Sequence, residues 1–186
     1  AAMLVILGLA STGLAITIAD ARALPSGSTV ALDGVVVISA TDLINSTNSK
    51  SIQVEDATGG ATVYGSNANV DALLAGSIEG DRISFSAVTG SFNGLFQLVA
   101  PFEAVTYIDS PGVPAPTPVT AADFVDQSST AEALESKLVK LSNVRFTSSG
   151  TFAYNVNYYL NADGVATTMP RVNIRVSTTT LDLIGK

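Results

Sequence analysis

After Pro25 the chain alternates short apolar runs rich in Val, Ile and Thr with breaks of Gly, Asn, Asp and Ser, the pattern of an all-β domain. STVALDGVVVISA (28–40) predicts a long strand with Gly34 in its middle as a bulge or bend. SIQVEDATGGATVYG (51–65) predicts a hairpin: Ile52 and Val54 on one side, a DATGG turn, then Val63 and Tyr64 on the return. In VDALLAGSIEGDRISF (70–85), Leu73, Leu74 and Ile78 line a predicted short helix that Gly80 ends. The strand RISFSAV (82–88) follows, then a second hairpin around Asn93-Gly94.

DSPGVPAPTPVT (109–120) carries four prolines between Pro111 and Pro118, a stiff extended spacer that cannot join a sheet interior. Beyond it the pattern restarts. SKLVKLSNVRFTS (136–148) has the cadence of residues 28–40, and NYYLNADGVATTM (157–169) echoes 51–65 as strand, Asp-Gly turn, strand. The second copy has no counterpart of RISFSAVTGSFNGLFQLVAPFEAV (82–105), so roughly its last two strands are expected to be missing. The predicted organisation is an apolar segment (1–19), a barrel domain (20–110), a Pro-rich linker (111–118) and a second, truncated domain (119–186).

The first nineteen residues carry no charge. A membrane helix needs about 20 apolar residues, so this segment is just long enough to span. Two further readings are a pilin-like helix packed with copies of itself and a β-strand donated to the next molecule. A retained signal-peptide remnant is the plainest alternative. A continuous apolar run has no periodicity, so helix and strand stay open. A strand donated head-to-tail would close an incomplete second barrel and propagate into a fibre, with Met3, Leu4, Val5, Ile6, Leu7, Leu9, Leu14 and Ile16 as the assembly residues. Membrane contact is then expected only before assembly.

Composition narrows the chemistry. The 186 residues include no Cys, His or Trp, which excludes thiol catalysis, a His-based triad and a Cys/His zinc site within this chain. Nine basic against sixteen acidic residues give a net charge of -7, a field that repels phosphate backbones, so no nucleic-acid partner is expected. Only 13% of residues are charged, which with the Ser/Thr-rich segments suits a protein of the cell exterior. Glu55 with Asp56, and Glu79 with Asp81, are the candidate carboxylate pairs, and both sit in turns where solvation is the ordinary role. VEDATGG and NADG resemble calcium turns without a full ligand set, so no metal and no cofactor is expected. Asn45 in N-S-T is a candidate glycosylation acceptor. Most first-copy aromatics (Tyr64, Phe85, Phe92, Phe96, Phe102, Tyr107) fall in predicted strands and read as core. The second copy offers a better aromatic and basic cluster, Tyr154, Tyr158 and Tyr159 with Arg171 and Arg175, as a candidate ligand site for a surface glycan or a single strand.

ITIADARALPSGSTVALDGVVV, SIQVEDATGGATVYG and VTAADFVDQSSTAEALESKLVKLSNVRF resemble the OB-fold modules that occur in tandem in secreted bacterial and archaeal proteins, some of them extracellular nucleases. The resemblance runs from Ile16 to the C-terminus. It implies two five-stranded Greek-key barrels and an exported protein, and no nuclease domain lies in this chain. The expectation is a non-enzymatic filament or pilus subunit that polymerises with itself, against the alternative of a secreted OB-fold binding module.

Overall fold

The computed structural model describes residues 15–39, 48–124, 129–146, 157–162 and 171–173. The protein is all-β. Five strands close a barrel in the order β1-β2-β3-β5-β4: β1 (Thr29–Val37), β2 (Ser49–Glu55), β3 (Gly60–Ser66), β4 (Arg82–Phe92) and β5 (Leu95–Asp109). All neighbouring pairs are antiparallel except β3 with β5. A helix, α2 (Asn67–Leu74), joins β3 to β4. A five-stranded Greek-key barrel of this kind is OB-like.

Strand alternation supplies the core. Val30, Leu32, Val35 and Val37 of β1 meet Ile52 and Val54 of β2, Ala61 and Val63 of β3, Ile83 and Phe85 of β4 and Leu98 of β5. The parity of β1 survives only because the register shifts between Leu32 and Val35, where Gly34 takes φ +73 as the expected bulge. Asn93 (φ 53) and Gly94 (φ 87) form the two-residue turn between paired Phe92 and Leu95, as the sequence predicts.

Helix α2 is capped by the Ser66 hydroxyl, which accepts from the Asn69 amide, and it buries Val70, Leu73 and Leu74. It ends earlier than expected, at Ala75 in the left-handed region, and Ile78 is 67% exposed. The reason is local: the Asp81 carboxylate accepts from the Ile78 amide, so residues 78–81 form a turn of their own.

The barrel also begins earlier than expected. Ile16, assigned above to assembly with neighbouring subunits, donates its amide to the Ala31 carbonyl, bridges Leu32 in parallel and packs on the barrel's own core. Helix α1 (Ile18–Arg22) follows, opened by a capping box in which Thr17 and Asp20 bond each other's backbone. Ile18 and Ala21 are fully buried in the same core. The boundary at residue 19 is therefore corrected to lie before Ile16.

The second unit repeats the first in order and register. β6 (Thr117–Val119) pairs in parallel with β7 (Val139–Leu141), as Ile16 does with β1. The Thr120 amide and hydroxyl bond the Asp123 carboxylate, as Thr17 bonds Asp20, and a short 3-10 turn and α3 (Ser129–Leu134) follow. Asn143 (φ 56) breaks the strand between β7 and β8 (Val144–Phe146) at the position of Gly34. β8, β9 (Asn157–Ala162) and β10 (Arg171–Asn173) then form a three-stranded antiparallel sheet equivalent to β1, β2 and β3. Counterparts of β4 and β5 are absent among the described residues.

Candidate functional site

OB-like barrels take oligonucleotides and oligosaccharides on the outer face of their second and third strands. In this chain the end of that face at Glu55, Gly60 and Thr62 is covered by the chain itself, while Tyr64 further along β3 is 42% exposed. β2 and β3 pair Gln53 with Thr62 and Glu55 with Gly60, and the segment leaving α3, Glu135 to Leu138, lies across them.

The contacts are polar and paired. Glu135 sets Oε1 2.8 Å from Arg22 Nη1 and accepts the Phe96 amide at 3.0 Å. Arg22 also donates to the Gly60 and Glu135 carbonyls and stacks 4.9 Å from the centre of the Phe96 ring. Ser136, at φ 60, lays its backbone on Gly60, where a Cβ would stand 2.3 Å from the Ser136 carbonyl oxygen. Only glycine admits that approach. The Ser136 and Thr62 hydroxyls are 2.9 Å apart. Glu55 accepts the Leu138 amide at 3.0 Å and pairs with Lys137 at 3.4 Å.

Both cations of this contact, Arg22 and Lys137, thus meet carboxylates. Beside the contact an open cleft of about 460 Å³ is lined by Arg22, Ser26, Thr58, Gly94, Phe96 and Glu132. The Thr58 hydroxyl is already bonded to Asp56 and to the Ala19 amide.

The acidic candidates have structural partners. Asp56 accepts from the Ile18 amide and from the amides of Thr58 and Gly59, so it ties α1 to the β2–β3 turn. Glu55 belongs to the contact just described. Hydrogen bonds from the Ser110 hydroxyl and the Ile78 amide hold Asp81 below the ordinary carboxylate range, opposite to what a general acid needs, and Glu79 is exposed. Among the described residues no cluster of acidic side chains could hold a metal.

The second-unit candidates divide. Tyr159 and Arg171 are direct cross-strand partners, at the register positions that Gln53 and Thr62 hold in the first barrel. Tyr158 takes the position of buried Ile52 instead. It is half-buried and packs edge-to-face on Phe146 with ring centres 6.4 Å apart, which assigns it to packing and not to a ligand face. Tyr154, Arg175, Asn45 and the assembly residues Met3, Leu4, Val5, Ile6, Leu7, Leu9 and Leu14 lie outside the described residues.

The covering segment is what sequence reasoning missed. Glu135, Ser136 and Lys137 look like ordinary solvated residues after a helix, and only the absence of a side chain at Gly60 hints at a close approach.

No protein-family model matches the chain, and no curated protein matches it. Among solved structures it is similar to one titled as the hypothetical protein ygiW from E. coli, at 15% identity, covering 52% of this chain and 91% of that one, with a TM-score of 0.37. The OB-like assignment rests on the barrel's own strand order and on the helix between its third and fourth strands.

Proposed function

We propose that this protein is a non-catalytic structural subunit of an extracellular filament, joined to copies of itself through the apolar residues that precede Ile16. The observation that carries this reading is the closure of the first barrel. Five strands complete its wall, and its core is filled from Ile16 and Ile18 onward. Beside Leu32 the stretch of β1 that β2 leaves unpaired is taken by Ile16, so the core assembles from Ile16 onward, and the uncharged run of residues 1–14, whose aliphatic side chains gain about 1.5–3 kcal/mol each when buried, is left for another partner. The packing of residues 135–138 on the Glu55, Gly60 and Thr62 end of the β2–β3 surface supports a structural role in the same way.

Placing a charge at Ile6 or Leu7 tests the proposal, because a buried unpaired charge is strongly disfavoured. Ile6→Asp and Leu7→Asp are expected to abolish assembly in light scattering while leaving the barrel's melting temperature unchanged. Assembly that persists in both variants refutes it.

A second reading has its own support: Tyr159 and Arg171 paired on strands equivalent to β2 and β3 suit recognition of a surface glycan. Calorimetry with acidic and neutral oligosaccharides, and with a single-stranded oligonucleotide, separates the two. Binding lost in Arg171→Ala favours this second reading, and steep salt dependence with the oligonucleotide alone points to nucleic acid.

A further inference from the structure

We propose that the cleft beside Tyr64, at the α2 end of the first barrel, binds a neutral saccharide. The inference goes beyond the filament reading and does not depend on it, and it names a site separate from Tyr159 and Arg171. Three observations carry it: where the cleft lies in the fold, which polar groups line it and the lack of charge on its walls.

The strand pairing opens the cleft. β3 and β5 pair in parallel from Thr62–Gln97 to Tyr64–Val99, and among the described residues their ladder ends there. At that point an open cleft of about 500 Å³ lies between the start of β2 and of α2 on one side and Val99 and Ala100 of β5 on the other, a size that suits a small ligand. Thr62 and Tyr64 occupy alternate positions of β3 and so share one face. Thr62 is buried beside Ser136, whereas the Tyr64 side chain lines the cleft and is exposed.

The lining groups suit a ring of carbons edged with hydroxyls. Tyrosine gives a rigid, amphipathic contact at low ordering cost: its flat face takes the C–H face of a pyranose and its hydroxyl takes a sugar hydroxyl. Beside it stand Asn48 and Asn69, both exposed. A carboxamide carries two donors and an acceptor, and adjacent sugar hydroxyls, each donor and acceptor, satisfy that set. Ser66 is already engaged in capping α2 through the Asn69 amide. Among the described residues the Asn48 and Asn69 carboxamides and the Tyr64 hydroxyl make no hydrogen bond, so a ligand displaces none.

Charge sets the class of saccharide. No charged side chain lines the cleft, and the lysine of β2, Lys50, is held by Asp71 at 2.6 Å. A phosphate or a uronic acid finds no cation there, and the net charge of -7 opposes both.

The full chain is titrated by calorimetry with neutral tetrasaccharides of glucose, N-acetylglucosamine, mannose and galactose, and with tetragalacturonate and a short oligothymidylate as charged probes. At least one neutral series is expected to saturate, with an affinity that added salt leaves unchanged. Tyr64→Ala, and Asn48→Ala combined with Asn69→Ala, are each expected to weaken that binding at least roughly tenfold, and Tyr64→Phe only a few-fold. Melting temperatures should hold in all of these variants, because the three side chains are exposed. The chain has no Trp, so Tyr64→Trp places a single indole in the cleft, and its emission should shift on addition of the same saccharide.

No binding of any neutral probe up to roughly 10 mM overturns the proposal. Binding that survives Tyr64→Ala overturns it as well, and its loss in Arg171→Ala instead moves the ligand to the second unit. A charged probe that binds more tightly than every neutral one overturns the assignment of a neutral ligand.

Discussion

Replacing Ile18 with Ala asks whether the end of the apolar run serves its own barrel or another molecule. Ile18 is 0% exposed, and its Cγ2 lies where a Cβ on Gly59 would approach to 3.3 Å, so the site is already close-packed. The substitution removes three carbons, about 2.4 kcal/mol at ~0.8 kcal/mol each, and leaves a cavity that the surrounding strands fill only in part. A loss of about 3 kcal/mol follows. For a domain of this size that lowers the melting temperature by roughly 12–24 °C. Circular dichroism melts at low concentration measure it, with Leu24→Ala, at a side chain 41% exposed, as the control expected to cost well under half as much. If Ile18→Ala stays within about 0.5 kcal/mol of the parent, Ile18 is not a core residue of its own barrel and the placement of α1 is wrong.

Asp81, Asp109 and Asp123 are all held below the ordinary value of 3.8, Asp81 by Ser110 and the Ile78 amide, Asp109 by Arg82, Asp123 by Thr120. A lowered folded-state value adds stability that is complete above the unfolded value and is lost as pH falls through the folded one, so urea midpoints should hold above pH ~5 and drop below pH ~4. Asp81→Asn should flatten that drop. Gly34→Ala should cost about 1–2 kcal/mol through its backbone at φ +73 alone, since the nearest atom to the new Cβ is 3.5 Å away; urea unfolding measures it. Gly60→Val should detach the second unit without unfolding the first, seen as faster proteolysis in residues 113–116 at an unchanged barrel melting temperature.

Much of the first barrel was legible because its strands alternate cleanly and its turns carry their own chemistry, as at Gly34 and Asn93-Gly94. The repeat was legible for the same reason, and the shared Thr-x-x-Asp turns at Thr17 and Thr120 extend it in detail. What escaped was set by tertiary contact. A continuous apolar run carries no mark of where one barrel's core begins, so Ile16 and Ile18 were read with residues 1–14; only the Thr17–Asp20 capping box signals the break. Adjacent tyrosines at 158 and 159 look alike in sequence, yet the register that pairs Tyr158 with Val172, where Ile52 pairs with Val63 in the first barrel, gives Tyr158 to packing. α2 stops at Ala75 and not at Gly80 because Asp81 captures the Ile78 amide, a bond between residues whose spacing suits a helix equally well. The contact at Gly60 depends on two segments some 75 residues apart in sequence, Gly60 and Ser136, and neither predicts the other.

The most direct measurement of the filament proposal compares the full chain with one lacking residues 1–14, by negative-stain microscopy and sedimentation at matched concentrations. The expected result is filaments from the full chain and monomers from the shortened one, with equal melting temperatures because the barrel closes without those residues. Filaments of the same form from the shortened chain, or a full chain that stays monomeric, would contradict it.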